Sequence, residues 1–325
     1  MTLTTQPTPQ FDYFIGIDIA KKTFVAVSSN ERKAKIFSND LVGFEAFYTH
    51  YESILSQSFT TLEMTGFYEL ECAKYLTNKG FAVHRAHGYQ IKNYIRSLGI
   101  KGKTDSSDAQ ALASYGKERH KKLMLFQGTT EIEDELRALL ARRSELVKMR
   151  VQEKNRLQAP GNTLIKESFE KLIEHLTALI QKVEEEIDAI FKQNQELMQK
   201  AKIAESLPGI GKTISKVLIA GLPELGKVDG KVLSSLVGVA PHPKDSGDFS
   251  GYRSTGRGRV EIKKSLYIAA LTASRSKSVL GDFYRSLVAR GKKKMVALVA
   301  LMRKMIVILN AKIRDFYKEQ KTEII

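Results

Sequence analysis

The sequence has little cysteine and lacks a long uninterrupted apolar segment among its 325 residues. Its single cysteine, Cys72, excludes an internal disulfide and a cysteine-based zinc site, which fits a reducing, cytoplasmic compartment. The longest apolar stretch near the end, residues 295–309, contains Arg303 and Lys304, so we expect neither a membrane span nor a membrane partner. Residues 1–10 are polar and contain proline, which predicts a disordered lead-in and not a signal peptide.

Positive charge is concentrated in the C-terminal part of the chain. The formal net charge is +16, and residues 201–325 carry +14 of it, from 24 Lys and Arg against 10 Asp and Glu. Such a basic region indicates a polyanionic partner that is bound mainly by the C-terminal part. No predicted amphipathic helix has Lys and Arg on one face and aromatic residues on the opposite face. Nucleic acid is therefore favoured over a membrane surface as the polyanionic partner.

Residues 11–125 alternate between strand and helix patterns, which predicts an α/β domain whose sheet begins with antiparallel strands. One apolar run carries Asp18, and a second strand pattern ends in Glu63. A carboxylate in a buried strand needs a cation or a metal, because burying an unpaired charge is costly. We therefore predict that Asp18 is the first ligand of a divalent-metal site for phosphodiester chemistry. The alternative is a surface Asp at a strand end, or one paired with Lys21 or Lys22.

Two more acids stand at the start of a later helix pattern. Thr104 is a suitable N-cap, and Asp105 and Asp108 then lie on one face of the first helical turn. Acidic residues also favour helix N-termini through the helix dipole. That preference explains one Asp well and does not exclude a ligand role for the second.

A helical arm is predicted over residues 126–200. Two long helix patterns, at 131–158 and 168–199, are interrupted near residues 160–161. The second has apolar residues at three- and four-residue spacing with charges between them: Phe169, Leu172, Leu176, Leu179, Val183, Ile187 and Ile190. This spacing is typical of a coiled coil, which predicts a homo-oligomer, either a dimer or a tetramer. The alternative is a helical hairpin that packs on its own chain.

The basic region, residues 201–325, begins with a Gly-x-Gly turn between two helix patterns. Gly209, Gly211 and Lys212 resemble the hairpin of helix-hairpin-helix proteins, whose free amides bind the DNA backbone without reading bases. A Walker A motif is excluded, because Ser206 and Ser97 occupy the positions that would need glycine. A plain corner between two helices is the alternative.

A segment rich in Gly, Ser and Arg follows. Its basic residues and those of the next helix are predicted to contact nucleic acid: Arg253, Arg257, Arg259, Lys263 and Lys264. Ser246 lies in a glycine-containing turn of this segment and is a candidate nucleophile toward phosphorus, because guanidinium groups would stabilise the developing charge. The segment is otherwise a solvated loop or an arm that binds phosphates.

Taken together, these motifs resemble the DEDD transposases of bacterial insertion sequences, which are bridge-RNA-guided recombinases related to the Piv-type DNA invertases. The likeness covers residues 13–313. It rests on six motifs: Gly-Ile-Asp-Ile-Ala-Lys at 16–21, Glu-Met-Thr-Gly-Phe-Tyr at 63–68, Lys-Thr-Asp-Ser-Ser-Asp-Ala at 103–109, Leu-Pro-Gly-Ile-Gly at 207–211, Gly-Val-Ala-Pro at 238–241 and Asp-Ser-Gly at 245–247. Each motif alone is common, and their order and spacing together are specific.

The resemblance implies an RNase H-like N-terminal domain similar to the RuvC resolvase, a coiled-coil arm and a mainly helical C-terminal domain. Asp18, Glu63, Asp105 and Asp108 match the family's acidic tetrad and would hold Mg²⁺ or Mn²⁺. Ser246 matches the family's serine, which would attack DNA and form a phosphoserine intermediate. The two sites would join in one composite centre across protomers. A structured non-coding bridge RNA would pair with donor and target DNA, in the bacterial cytoplasm at the nucleoid.

Some positions depart from the family pattern. Met64 stands where many relatives have a small residue, and the run from Ser246 to Lys263 is slightly short. Ser250 and Ser254 are therefore lesser candidates for the nucleophile. The leading hypothesis is a transposase or recombinase. The alternatives are a metal-dependent nuclease or Holliday-junction resolvase that uses water, and a non-enzymatic nucleic-acid-binding protein.

Overall fold

The computed structural model describes residues 10–66, 68–99, 104–243, 251, 253–256 and 258–322. The chain divides into two compact units, Met1–Thr129 and Thr130–Ile325. The first unit mixes helices and strands, whereas the second is mainly helical. Within the described ranges, no helix is both long enough and apolar enough to cross a membrane.

The first unit is built on a five-stranded mixed sheet of order β3-β2-β1-β4-β5. Its strands are β1 (Tyr13–Ile19), β2 (Thr23–Ser28), β3 (Lys35–Ser38), β4 (Ser58–Glu63) and β5 (Ala82–Ala86). The first three strands pair antiparallel, and β1, β4 and β5 pair parallel. The predicted α/β sheet with an antiparallel start is confirmed.

Helices cover both faces of this sheet. They are α1 (Leu41–Tyr51), α2 (Leu70–Asn78), α3 (Gly88–Ser97) and α4 (Asp105–Arg119). Ile15 and Ile17 of β1 are fully buried in a core with Phe47 of α1 and Leu76 of α2. Side chains alternate along a strand, so Gly16 and Asp18 point to the opposite face of β1, where α4 packs.

The second unit contains eight α-helices among its described residues. They are α5 (Glu131–Leu157), α6 (Lys166–Gln193), α7 (Gln195–Glu205), α8 (Lys212–Gly221), α9 (Gly230–Val237), α10 (Val260–Arg275), α11 (Val279–Ala289) and α12 (Lys294–Thr322). A short ribbon pairs β6 (Pro241–His242) with β7 (Ser254–Thr255). Leu218, Leu233, Leu266 and Leu309 are fully buried where α8, α9, α10 and α12 meet.

Helices α5 and α6 form an antiparallel hairpin. Leu146 of α5 is buried against Leu176 and Ile180 of α6, and Arg143 pairs with Glu184 across the hairpin at 2.6 Å. Most of the apolar seam predicted for a coiled coil therefore packs within one chain, as the hairpin alternative proposed, whereas Leu172 is exposed. Association between chains stays a prediction.

The second predicted helix of the arm is broken where the sequence pattern runs on. The side chain of Asn194 accepts a hydrogen bond from the backbone nitrogen of Leu197 at 3.0 Å and so caps a new helix, α7. Asn194 is also the residue that ends α6, in an extended conformation. The change of direction lets Ala201 and Ala204 of α7 join the core of the second unit.

Candidate active site

Asp18 and Glu63 lie side by side on neighbouring parallel strands. The register pairs Ile17 of β1 with Leu62 of β4, so Asp18 and Glu63 occupy the next step at the carboxyl ends of the two strands. Paired residues of adjacent strands point to the same face, with backbones about 4.8 Å apart. Both residues are partly buried. The side chains of two of the four predicted ligands therefore leave adjacent backbone positions on the same face of the sheet.

Helix α4 rests directly on β1 because Gly16 has no side chain. A Cβ atom at Gly16 would lie 1.9 Å from the carbonyl oxygen of Ala109 and 2.4 Å from the backbone nitrogen of Ala113. At the other end of the helix, the ring centroid of His120 lies 5.1 Å from that of Phe14 near the start of β1. The helix therefore runs antiparallel to β1, and its first turn lies toward the carboxyl end of the strand.

That first turn carries the other two acids. Thr104 caps α4, as predicted: its side chain accepts from the nitrogen of Ser107 at 3.1 Å, and the Ser107 hydroxyl accepts from the nitrogen of Thr104 at 3.0 Å. Asp105 is exposed and Asp108 is partly buried. The structure thus brings all four predicted carboxylates to one end of the first unit.

The four carboxylates do not form a complete metal-coordination site. Within the part of the chain that the structure describes, no three His, Cys, Asp or Glu side chains are close enough together to hold a metal ion. The donors nevertheless fit one, since Mg²⁺ prefers oxygen ligands and commonly binds through one or two carboxylates plus substrate phosphates and water. Asp18 and Glu63, adjacent on the sheet, are such a pair.

The carboxylate of Glu63 lies against the start of α3. A Cβ atom at Gly88, the first residue of that helix, would lie 2.7 Å from Oε1 of Glu63. The backbone nitrogen of Met64 donates to the carbonyl oxygen of Ala86 at 2.9 Å, which extends the β4–β5 pairing past Glu63. Sequence reasoning missed Gly88, because nothing in the local pattern shows which side chain meets it.

A buried ion pair lies beside this strand end, and sequence reasoning missed it as well. Glu69 is 1% exposed, and its Oε1 accepts from Nη2 of Arg85 at 2.5 Å. Burial favours the neutral form of Glu69, but hydrogen bonds from Arg85 and Thr65 hold the pKa of its carboxyl below the ordinary value. The sequence carried one indication of this pair. Arg85 lies in a predicted strand, and a buried charged side chain requires an acidic partner.

The Gly-x-Gly turn of the second unit joins α7 to α8. Gly209 has φ +89°, and a Cβ atom there would lie 2.2 Å from the carbonyl oxygen of Ala269, so this glycine packs the turn on α10. Gly211, by contrast, has open space around its Cα and precedes the first residue of α8. Lys212 is exposed beside it. This end of α8 therefore presents a lysine and helix N-terminal amides to solvent.

Several predicted nucleic-acid contacts have partners within the chain. Arg259 donates two hydrogen bonds to the carboxylate of Glu224, at 2.7 and 2.5 Å. Lys263 donates to Thr255 at 3.3 Å, and Lys264 pairs with a glutamate of its own helix at 3.1 Å. Their role toward nucleic acid stays a prediction. Three of the five N–H donors of Arg259 are engaged within the chain, two by Glu224 and one by the carbonyl oxygen of Gly221. Arg253 is exposed.

Ser246, the predicted nucleophile, lies outside the described residues, as do Arg257 and Ser250. The ribbon defines the chain on either side of Ser246: His242 pairs with Ser254 in antiparallel register. Strands β6 and β7 are therefore paired, and Ser246 lies between them in the sequence.

Carboxylates at the carboxyl ends of adjacent parallel strands, in a chain that also carries a basic helical unit, are typical of enzymes that cut and join nucleic acid. Residues 15–164 match a DEDD-type family described as a transposase, and residues 201–285 match the transposase IS116/IS110/IS902 family. The pilin gene-inverting proteins of Moraxella bovis and Moraxella lacunata are each 30% identical to this chain over 313 residues, 93% of it and 96% of theirs. An uncharacterized 44.8 kDa protein of insertion element IS116 from Streptomyces clavuligerus is 30% identical over 146 residues, 44% of this chain and 36% of its own.

This chain belongs to that family of insertion-sequence transposases and DNA-inverting proteins, and it is a DNA recombinase or transposase enzyme. The resemblance drawn from the sequence motifs is confirmed. Membership of the DEDD family implies dependence on a divalent metal in general.

Proposed function

We propose that this protein cuts and rejoins DNA through a covalent bond between Ser246 and phosphorus, with a divalent metal held by Asp18, Glu63, Asp105 and Asp108. One observation supports the metal site above all: the in-register pair Asp18 and Glu63 lies at the carboxyl ends of β1 and β4, which the first turn of α4 approaches. In this proposal residues 11–125 form an RNase H-like catalytic domain, 126–200 an arm and 201–325 a basic domain that carries the serine.

Each step of the proposed reaction forms one phosphorus–oxygen bond and breaks another. The hydroxyl oxygen of Ser246 forms a bond to phosphorus while the bond from phosphorus to the departing strand breaks. The serine proton passes to solvent, and the departing oxygen takes up a proton, so that strand leaves with a free hydroxyl. A strand hydroxyl then attacks the phosphoserine, forms a new phosphodiester and returns Ser246 to its starting state. When bound, Mg²⁺ or Mn²⁺ supplies positive charge that stabilises the attacking and leaving oxygens.

In this proposal the second unit binds the nucleic acid. Its support is the +14 charge of residues 201–325 and the exposed lysine, Lys212, beside the open helix terminus at Gly211. Donor and target DNA are the substrates, and a bridge RNA pairs with both. Chains associate as dimers or tetramers, so that the serine of one chain serves the carboxylates of another.

A second candidate is a nuclease or Holliday-junction resolvase that uses water as the nucleophile. One observation favours it. All four carboxylates lie within the first unit, so hydrolysis there would not require a residue of the second unit. Ser246 would then only contact the DNA backbone.

Covalent trapping separates the two candidates. Full-length protein, RNA transcribed from the element's flanks, labelled flanking DNA and Mg²⁺ are mixed and resolved on a denaturing gel. We expect a protein–DNA adduct with the wild type and with the control Ser254→Ala, and none with Ser246→Ala. Cleavage without an adduct, at equal rates in the wild type and Ser246→Ala, would establish the water-using enzyme instead.

A further inference from the structure

We propose that Glu69 and Arg85 are positioning residues that hold the carboxylate of Glu63 in place at the metal site, an inference that rests on the proposed role of Glu63. Glu69 follows Glu63 by six residues, at the end of the loop that joins β4 to α2. Neither Glu69 nor Arg85 is assigned a role by the sequence motifs or by the family comparison.

The ion pair is poorly explained by stability alone. Glu69 is 1% exposed, and the cost of desolvating a buried carboxylate and guanidinium commonly equals or exceeds their attraction. Nε of Arg85 is buried without a hydrogen-bond partner among the described residues, which adds to that cost. Replacement of such a pair by apolar residues is often neutral or stabilising. We therefore attribute the ion pair to the positions that it imposes on neighbouring groups, and not to a gain in folding stability.

The Glu69 carboxylate accepts hydrogen bonds that restrain the loop after Glu63. Its Oε2 accepts from the backbone nitrogen of Thr65 at 3.2 Å and from the Thr65 hydroxyl at 3.4 Å. Its Oε1 accepts from Arg85, whose strand position pairs with Leu62, the residue before Glu63. One buried carboxylate thus connects the loop after Glu63 to the strand beside it.

Arg85 is held on its other side by an aromatic ring. Its guanidinium carbon lies 5.1 Å from the ring centroid of Phe126. The backbone nitrogen of Phe126 donates to the carbonyl oxygen of Val83 at 2.7 Å, which places this residue alongside β5. A planar guanidinium can stack on the ring and donate to Glu69 together, whereas a lysine ammonium cannot reproduce both contacts.

These contacts hold the backbone on either side of Glu63. The extended β4–β5 pairing holds its backbone, the loop closed by Glu69 follows it, and Gly88 abuts its carboxylate. Groups that orient a metal ligand from behind typically change metal affinity by about 10–100-fold when they are removed.

The test measures Mn²⁺ binding by calorimetry to the full-length chain without DNA. Glu69→Gln keeps the shape of the side chain and removes its charge, and we expect Mn²⁺ affinity to fall by about 10-fold or more. Far-UV circular dichroism and DNA binding should be unchanged. Glu31→Gln is the matched control. Glu31 also accepts hydrogen bonds within the first unit, from Ser28 and Tyr51, but beside the amino end of β1, away from Asp18.

The outcomes separate this inference from the proposed function. If Glu63→Gln weakens Mn²⁺ binding while Glu69→Gln matches the wild type, the positioning role is wrong and the metal site stands. If Glu63→Gln has wild-type affinity, the metal site itself is wrong and the inference goes with it. If Glu69→Gln does not fold, Arg85→Lys decides: wild-type Mn²⁺ affinity in that variant overturns the inference, and a loss of several-fold supports it.

Discussion

A Cβ atom at Gly16 would lie 1.9 Å from the carbonyl oxygen of Ala109, so the backbone of α4 touches the backbone of β1. This contact sets the height of α4 above the sheet, and with it the distance from Asp108 to Asp18. No flexible side chain lies between the two elements at this point. A single methyl group there must move the helix.

Gly16→Ala is therefore expected to destabilise the first unit and to abolish DNA cleavage. Overpacking of this kind typically costs about 1–3 kcal/mol, and here the clash is with backbone. Thermal unfolding followed by circular dichroism measures the loss. Gly230→Ala is the control, because a Cβ atom there meets only ordinary contacts at 3.4 Å or more. An unchanged Tm for Gly16→Ala would contradict the close approach of α4.

Gly88→Ala is expected to spare the fold and impair catalysis. The added methyl would lie 2.7 Å from Oε1 of Glu63, which is the end of a flexible side chain and can move away. A misplacement of about 1 Å can cost about 100-fold in rate. Adduct formation across a Mn²⁺ titration measures the effect. If the Gly88→Ala enzyme matches the wild type at every Mn²⁺ concentration, the carboxylate of Glu63 does not need its present position.

Asp18→Asn should retain DNA binding and lose strand breakage by at least about 100-fold, because an amide cannot replace a charged metal ligand. The same trapping assay measures this loss. Asp12→Asn is the matched control, because Asp12 is exposed just before the amino end of β1. Strand breakage that survives in Asp18→Asn would show that Asp18 is not a required metal ligand.

DNA affinity should depend steeply on salt, because residues 201–325 carry +14. We expect a loss of about 10³-fold or more between low and moderate salt. Lys212→Gln should reduce the slope of log affinity against log salt by about one. Lys216→Gln is the control, because Lys216 already pairs with Asp188. A flat salt response in the wild type would contradict the electrostatic contribution altogether.

Acidification below about pH 6.5 should destabilise the first unit through His84. Burial lowers the pKa of His84 from its ordinary 6.5, and its Nε2 is buried without a partner among the described residues. The unfolded chain therefore binds the proton more readily, so stability is full above pH 6.5 and declines as pH falls. We expect Tm to fall by about 4 °C for each kcal/mol lost.

The control for this pH dependence is His175→Gln, because His175 is exposed on α6 and its replacement should leave the profile unchanged. His84→Gln should flatten the decline between pH 7 and 5, whatever its effect on absolute stability. A wild-type decline that persists in His84→Gln would assign the titration to another group.

The hairpin and the basic segment show where local patterns stop being informative. The seam of α6 predicted a buried face, and most of that face is buried. Apolar periodicity does not specify whether α5 of the same chain or another chain covers it. Arg259 was predicted to contact nucleic acid from its neighbours in sequence. Its carboxylate partner, Glu224, lies 35 residues away and is brought to it by the fold.

Most elements of the first unit, and the family, could be derived from the sequence alone. Alternating apolar residues specify the strands, Thr104 specifies the start of α4, and the order of motifs identifies a DEDD transposase. Which side chains meet depends on the packed fold. Gly16 against Ala109 and Gly88 against Glu63 are contacts between residues distant in sequence. They depend on strand register and helix height, which arise from packing the whole unit and not from any local preference.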